Sequence, residues 1–178
     1  MVTYEALRRD AAVNTYITRA DESLSALGFT EHSFPHVCRV AEVAGQVLNA
    51  LGYDSHQIEL AKIAAYLHDI GNLVNRVDHS QSGAVMAFRI LDHMDMDAAD
   101  VATVVTAIGN HDEGTGVPVN AVAAALILAD QSDVRRHRLR NRDIAPLDLP
   151  ARVTHPVTRR ALRPQPDDKP PDPEPPPR

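Results

Sequence analysis

The residues best suited to chemistry are His68 and Asp69, which lie near the end of the largely apolar stretch at residues 61–72. Burying an imidazole and a carboxylate in apolar surroundings is costly unless they are paired or bind a cation. Adjacent helix residues point about 100° apart, so the two side chains cannot easily grip one ion from a single face. Asp69, however, has two oxygens and could bridge two cations while His68 holds one of them. The pair therefore predicts a metal centre whose other ligands come from elsewhere in the chain.

Further candidate ligands lie at or within apolar helical segments: His36, His79, His111 and Asp130. Successive intervals are 32 residues from His36 to His68, 10 from Asp69 to His79, 32 from His79 to His111, and 19 from His111 to Asp130. In a bundle of short helices, such intervals let each ligand come from a different segment and still converge on one interior point. Histidine-rich ligation with two carboxylates suits iron, manganese or another transition ion better than magnesium or calcium.

The order H…HD…H…H…D, over roughly residues 30 to 140, resembles the HD superfamily of metal-dependent phosphohydrolases. Residues 79–84, H-S-Q-S-G-A, and residues 128–130, L-A-D, resemble segments of the bacterial di-iron enzymes that split diadenosine tetraphosphate symmetrically. The resemblance implies two divalent transition-metal ions, with iron as the first expectation and manganese, cobalt, nickel or zinc as alternatives. The implied ligands are His36, His68 and Asp130 for one metal and His79 and His111 for the other, with Asp69 bridging them.

The same resemblance implies hydrolysis of a nucleotide, or of another phosphate ester or anhydride, through hydroxide activated by the dinuclear centre. Asp69 is then catalytic, and Asp112 and Glu113, which follow His111 directly, are expected to orient it or relay a proton. Many relatives have a lysine three residues after the aspartate, where this chain has Asn72. We therefore expect Asn72, Arg76 and Arg135 to bind substrate, with an arginine supplying the missing positive charge.

One departure concerns the number of metals. Cyclic-dinucleotide phosphodiesterases of the superfamily have a glutamate for a third metal four residues before the first histidine, and this chain has His32 there, beside Glu31. Two metals are therefore expected rather than three.

Two other functions remain open. Some HD-fold proteins resemble this site equally well and use a mixed-valent iron pair to activate oxygen on a hydroxylated carbon substrate, which oxygen uptake and an electron-resonance signal would reveal. A nucleotide-sensing module whose proline-rich segment binds partners is the second alternative, although an intact ligand set argues against it.

Apolar residues at helical spacing predict an all-α fold: a single bundle of about six helices, and no strand. The expected organisation is a helix within residues 1–29 packed on the core, an HD domain at 30–142, and a disordered proline-rich tail at 143–178. Asp54 or Ser55 and Asn120 are expected helix caps, Gly71 a left-handed helix stop, and Phe88 a core residue. The tail prediction follows from composition, because 11 of the 13 prolines lie in the last 33 residues.

Charge and composition restrict the partners. The net charge is −6 and no basic run is sustained, so a nucleic-acid groove is not expected. One cysteine, Cys38, permits no internal disulfide, and neither a signal peptide nor a membrane span is evident in the sequence. The prediction is a cytoplasmic protein, possible as a homodimer, whose partner is a small phosphorylated substrate.

Overall fold

The computed structural model describes residues 2–29, 32–112 and 114–133. In this part of the chain there are seven α-helices, one short 3₁₀ helix and no strand, which confirms the all-α prediction. The α-helices are α1 (Tyr4–Arg9), α2 (Ala11–Ala26), α3 (Phe34–Ala50), α4 (Ser55–Leu67), α5 (His79–His93), α6 (Ala98–Gly109) and α7 (Ala121–Ser132). The 3₁₀ helix, Ile70–Leu73, joins α4 to the segment before α5. Glu31, Glu113, Arg135 and the tail at 143–178 lie outside the described residues.

The sequence predicts one N-terminal helix, but the structure has two, α1 and α2. The described part of the chain therefore has seven α-helices rather than the expected six or so. Asp10 separates α1 from α2 with an extended backbone (ψ 120°) and caps α2, because its side chain accepts a hydrogen bond from the Val13 amide at 2.9 Å. Aspartate competes with the helical backbone in this way and so favours a cap over a helix interior. Leu7, Val13 and Ile17 still reach the core from both sides of the break.

Helix α4 lies at the centre of the bundle and packs against α3, α6 and α7. Every residue from Leu60 to Leu67 except Lys62 is buried, so this helix is apolar nearly all round. Asp54 caps its start by accepting from the Gln57 amide at 2.8 Å, and Asn120 caps α7 by accepting from the Ala123 amide at 2.7 Å. Because each cap fixes the residue at which its helix begins, it also fixes the positions of Asp69, after α4, and Asp130, near the end of α7.

Gly71 is not the left-handed helix stop expected from the sequence. Positive φ among the described glycines occurs at Gly28 and Gly52, which follow α2 and α3, whereas Gly71 lies within the 3₁₀ helix. A Cβ at Gly71 would overlap the carbonyl oxygen of His79 and the amide nitrogen of Gly83. Glycine is required here because the 3₁₀ helix and α5 approach at backbone contact, which brings Asp69 close to His79.

Two further features concern the outer surface. Phe88 is 51% exposed rather than in the core, because α5 turns Ala84, Ala87 and Leu91 inward instead. No helix in the described part of the chain has both the length and the apolar character needed to cross a bilayer.

Candidate metal centre

All six predicted ligands lie together in one buried region, although they come from five different elements. His36 is in the first turn of α3, His68 and Asp69 follow α4, and His79 begins α5. His111 follows the C-cap of α6, and Asp130 is near the end of α7. Five of the six are at most 5% exposed, and the Asp130 side chain is 22% exposed. Helix ends therefore converge around the end of the central helix.

One group of ligand atoms joins His36, His68, Asp69 and Asp130. Asp69 Oδ2 lies 3.4 Å from His36 Nε2 and 3.1 Å from His68 Nε2. Asp130 Oδ1 lies 3.3 Å from His36 Nε2 and 3.7 Å from His68 Nε2. Two ligands about 2.1 Å from one ion are roughly 3.0 Å apart in octahedral and roughly 3.4 Å apart in tetrahedral coordination. Three of the four separations, 3.1–3.4 Å, lie in this range and the fourth, 3.7 Å, is slightly longer, so these side chains are close enough to share one ion.

A second group lies on the other side of Asp69. His79 Nε2 is 3.6 Å from Asp69 Oδ1 and 3.2 Å from His111 Nε2. Ligand atoms of His68, Asp69 and His111 also lie within 4.8 Å of one another, so the two groups adjoin. Asp69 directs Oδ2 toward the first group and Oδ1 toward the second, which is the arrangement a bridging carboxylate requires.

The hydrogen bonds of the histidines favour one tautomer. His68 Nδ1 lies 2.7 Å from the Ala65 carbonyl and His111 Nδ1 lies 2.6 Å from the Ile108 carbonyl. A carbonyl oxygen only accepts, so Nδ1 carries the proton and donates in both residues. The same assignment for His79 rests on a longer contact, 3.2 Å, to the Arg76 carbonyl. Each Nε2 then presents a lone pair to the site, as a metal-ligating imidazole must.

Two of these inward-facing atoms are satisfied by nothing else nearby. His68 Nε2 and Asp69 Oδ2 are buried and have no hydrogen-bond partner among the described residues. Unsatisfied buried polar atoms are rare in folded proteins and call for an explanation such as a bound ion. The chemistry of this donor set therefore fits a transition metal.

Electrostatics at the centre also favour a cation. Burial is the largest single influence on Asp69 and would raise its pKa, but the neighbouring histidines His68, His32 and His36 together lower that pKa well below its usual range. The pKa of Asp130 is lowered in the same way by His36 and His68 against the effect of burial. Burial lowers the pKa of His111 to about 4. At neutral pH, two ionised carboxylates thus face a neutral His111.

The pKa values of the other two histidines shift in opposite directions. Burial lowers the pKa of His79. For His68 burial is again the largest influence and acts in the same direction, but Asp69 and Asp130 together outweigh it and raise the pKa. His68 therefore holds a proton more strongly than His79, and a metal ion would have to displace that proton in order to bind.

The residues predicted to bind substrate, and Asp112, which is predicted to orient His111 or relay a proton, lie around the ligand groups at different depths. Asn72 is fully buried, and its Nδ2 donates to Asp69 Oδ1 at 3.0 Å and to the Asp69 carbonyl at 2.9 Å. Arg76 donates from a guanidinium nitrogen 3.3 Å from His79 Nε2, and its charge lies 5.7 Å above the Phe29 ring. Asp112 Oδ1 is 3.9 Å from His79 Nδ1, at the edge of the site. Arg76 and Asp112 are thus partly exposed, whereas Asn72 is buried against Asp69.

One residue beside the ligand groups is not among the candidates from sequence. Asp133 is 1% exposed, and its Oδ2 lies 2.8 Å from His36 Nδ1. The available signal was its position three residues after Asp130, which places both acids on one face of α7. The arginines that follow it obscured that signal.

Comparisons with known proteins identify the family of this chain. The profile described as HD domain matches residues 34–153, which extends beyond the predicted boundary at 142. An uncharacterized protein, MJ1020, from Methanocaldococcus jannaschii is 27% identical over 159 residues, covering 77% of this chain and 61% of that protein. The chain therefore spans about three fifths of the length of this curated relative.

A solved structure is similar as well. The crystal structure of a predicted HD superfamily hydrolase from an uncultured Thermotogales bacterium superposes with a TM-score of 0.55 at 29% identity. The match covers 76% of this chain and 75% of the other.

Proposed function

The chain belongs to the HD domain family, and from this premise we propose that it is a metal-dependent phosphohydrolase with a dinuclear centre. The observation that carries the proposal is Asp69, whose two oxygens face two adjoining groups of histidine and carboxylate ligands. The proposed substrate is a small phosphate ester or anhydride, with a nucleotide as the first candidate. The similar Thermotogales protein, described as a predicted hydrolase, supports the reaction class.

In the proposed centre, His36, His68 and Asp130 hold one divalent ion and His79 and His111 hold the other. When bound, two such ions would supply hydroxide at neutral pH and neutralise charge on the phosphate. The nitrogen-rich ligand set favours a transition ion, and iron is the first expectation, with manganese, cobalt, nickel or zinc as alternatives. Asp69 keeps its negative charge at neutral pH because its pKa is lowered, so it remains able to contact both ions.

Arg76 is the proposed phosphate-binding cation. Its guanidinium lies beside His79 and stacks over Phe29, so its position is set from two sides. A planar guanidinium can donate two parallel hydrogen bonds to phosphate oxygens. This would replace the lysine that many relatives have at the position of Asn72. Arg135 stays a second candidate, predicted from sequence alone.

Asp112 is the proposed proton carrier. Its side chain is 34% exposed and reaches to 3.9 Å from His79 Nδ1, so it connects the interior of the site with solvent. From this place the carboxylate can accept a proton and release it to water. Glu113, its neighbour in sequence, stays a prediction of the same kind. Asn72 is buried against Asp69, and contact with substrate also stays a prediction for it.

A substrate panel tests the proposal. The protein would be loaded with iron or manganese and assayed with nitrophenyl phosphate, a nitrophenyl phosphodiester and a set of nucleotides and dinucleoside polyphosphates. We expect hydrolysis of at least one phosphate compound that is lost on chelation and in His111→Ala. His93→Ala is the matched control, because His93 ends α5 away from the ligand groups and its loss should leave turnover unchanged. Metal-dependent oxygen uptake without hydrolysis would contradict the proposal.

A further inference from the structure

We propose that Asp133 is a positioning residue for the metal centre: its carboxylate holds the His36 imidazole with Nε2 directed toward Asp69 and Asp130. The inference rests on the proposed centre and adds a residue to which neither the family resemblance nor the comparisons assign a role. Asp133 contacts His36 at Nδ1, the ring nitrogen opposite the inward-facing Nε2, so its effect on the centre would pass through His36.

The contacts of Asp133 occupy both of its oxygens. Oδ2 accepts from His36 Nδ1 at 2.8 Å, and Oδ1 lies 3.3 Å from Arg39 Nε. Arg39 follows His36 by three residues, so both partners project from one face of α3. Asp133 is 1% exposed, while the Arg39 side chain is 42% exposed. A buried carboxylate is thus held between a ligand histidine and a charge that reaches the surface.

The orientation of His36 indicates a role beyond a structural ion pair. A simple ion pair would have a doubly protonated imidazole whose Nε2 also donates to a carboxylate. Yet Nε2 lies 3.4 Å from Asp69 Oδ2 and 3.3 Å from Asp130 Oδ1, longer than the usual range of about 2.7–3.2 Å for N–H···O bonds. Those separations suit two ligands of one ion. A carboxylate on the opposite nitrogen fixes the tautomer and strengthens the imidazole as a ligand.

Asp133 also ties this histidine to the helix that supplies Asp130. Its backbone amide donates to the Asp130 carbonyl at 3.0 Å, and it forms the C-cap of α7. The end of α7 therefore provides one ligand directly and orients another across the interface with α3. A shift of this helix end would move both together.

Cobalt(II) binding tests the inference, because the ion reports both affinity and coordination. Calorimetric titration and the visible absorption of bound cobalt would be compared in the wild type, Asp133→Ala and Asp133→Asn. We expect about 10- to 100-fold weaker binding and a changed spectrum for Asp133→Ala. Asp133→Asn should lie between, since its amide oxygen can accept from Nδ1 without carrying charge.

The matched control is Asp100→Asn, which alters a second histidine–aspartate pair in which neither residue is a proposed ligand. Asp100 Oδ1 lies 2.8 Å from His56 Nε2, and the His56 side chain is 45% exposed. Its cobalt affinity and spectrum should equal those of the wild type. A reduced affinity in this control too would show that the effect is general loss of stability and would overturn the inference.

Other outcomes separate this inference from the proposed function. If the wild type binds cobalt and both Asp133 variants bind within about twofold of it with the same spectrum, the positioning role is refuted and the centre stands. If Asp133→Ala does not fold, Asp133→Asn decides alone. Nitrogen-15 NMR of the metal-free protein adds a further readout: His36 should be protonated at Nδ1 in the wild type and lose that preference in Asp133→Ala. A wild type that binds no cobalt would refute the proposed centre itself.

Discussion

Gly71→Ala should separate the two halves of the metal centre. The added Cβ would overlap two backbone atoms, the His79 carbonyl oxygen and the Gly83 amide nitrogen, and would lie 2.7 Å from Ser82 Oγ. Ordinary carbon–oxygen contacts are about 3.3–3.6 Å, so even the longest of the three requires roughly 0.6 Å of movement. The His79 oxygen and the Gly83 nitrogen belong to the backbone of α5 and cannot rotate away, so α5 as a whole must move away from the 3₁₀ helix.

That movement exceeds what a metal site tolerates. Catalytic and binding groups must be held to within about 0.5 Å, and here His79 would be displaced directly from Asp69. Overpacking of this kind costs about 1–3 kcal/mol and occasionally more. For a chain of this size we expect Tm to fall by roughly 2–12 °C. Occupancy of the His79 and His111 group should fall, while the His36, His68 and Asp130 group is retained.

Gly109→Ala is the control for this substitution. A Cβ there would lie 3.7 Å from the Ala84 Cβ, which is ordinary contact, and alanine suits the end of α6 better than glycine. Thermal unfolding and metal content would be measured in both variants. A Gly71→Ala protein with the Tm and metal content of the Gly109→Ala protein would refute the close-approach explanation, and with it the account of how α5 is positioned.

Three other predictions follow from the site and the core. Protein prepared without chelator should contain close to two transition-metal ions per chain by elemental analysis, and a content near zero would refute the centre. Asp69→Asn should reduce nitrophenyl phosphodiester turnover more than His79→Ala, because Asp69 faces both ligand groups; near-normal turnover with two bound ions would make Asp69 structural. Burial raises the pKa of Tyr66 to about 12, so the stability that depends on its neutral phenol should be present below about pH 10 and be lost as the pH rises toward 12. Tm should therefore decrease less over that range in Tyr66→Phe than in the wild type, and equal slopes would contradict this.

The features predictable from sequence depend on local pattern. Helical periodicity predicts the bundle, and short-range chemistry predicts the caps at Asp54 and Asn120, since each acts on an amide three residues away. The six candidate ligands are predictable because their order and intervals resemble those of a known family. Their convergence is a tertiary property that no single segment encodes.

The features that the sequence did not predict depend on which face of a helix packs against a neighbouring helix. Phe88 has the apolar character of a core residue, but α5 presents a neighbouring face to the bundle. The need for glycine at position 71 arises from α5, eight residues later in the chain, rather than from the end of α4. Asp133 stands beside arginines in sequence and beside His36 in space, 97 residues away. Such pairings become visible only once the helices are placed.

The position of each histidine in its helix explains why one of them needs a carboxylate partner. A helix leaves its last carbonyls without backbone donors, and His68 and His111, which follow helix ends, donate from Nδ1 to carbonyls three residues earlier. His36 lies in the first turn of α3, where the carbonyl three residues earlier, that of Ser33, already accepts from the amides of His36 and Val37. His79 also stands at a helix start, yet its Nδ1 lies 3.2 Å from the Arg76 carbonyl, so a backbone acceptor remains within reach there. For His36 the acceptor at Nδ1 is the Asp133 carboxylate, and we therefore expect the orientation of His36 to be the most sensitive of the four histidines to loss of a side-chain partner.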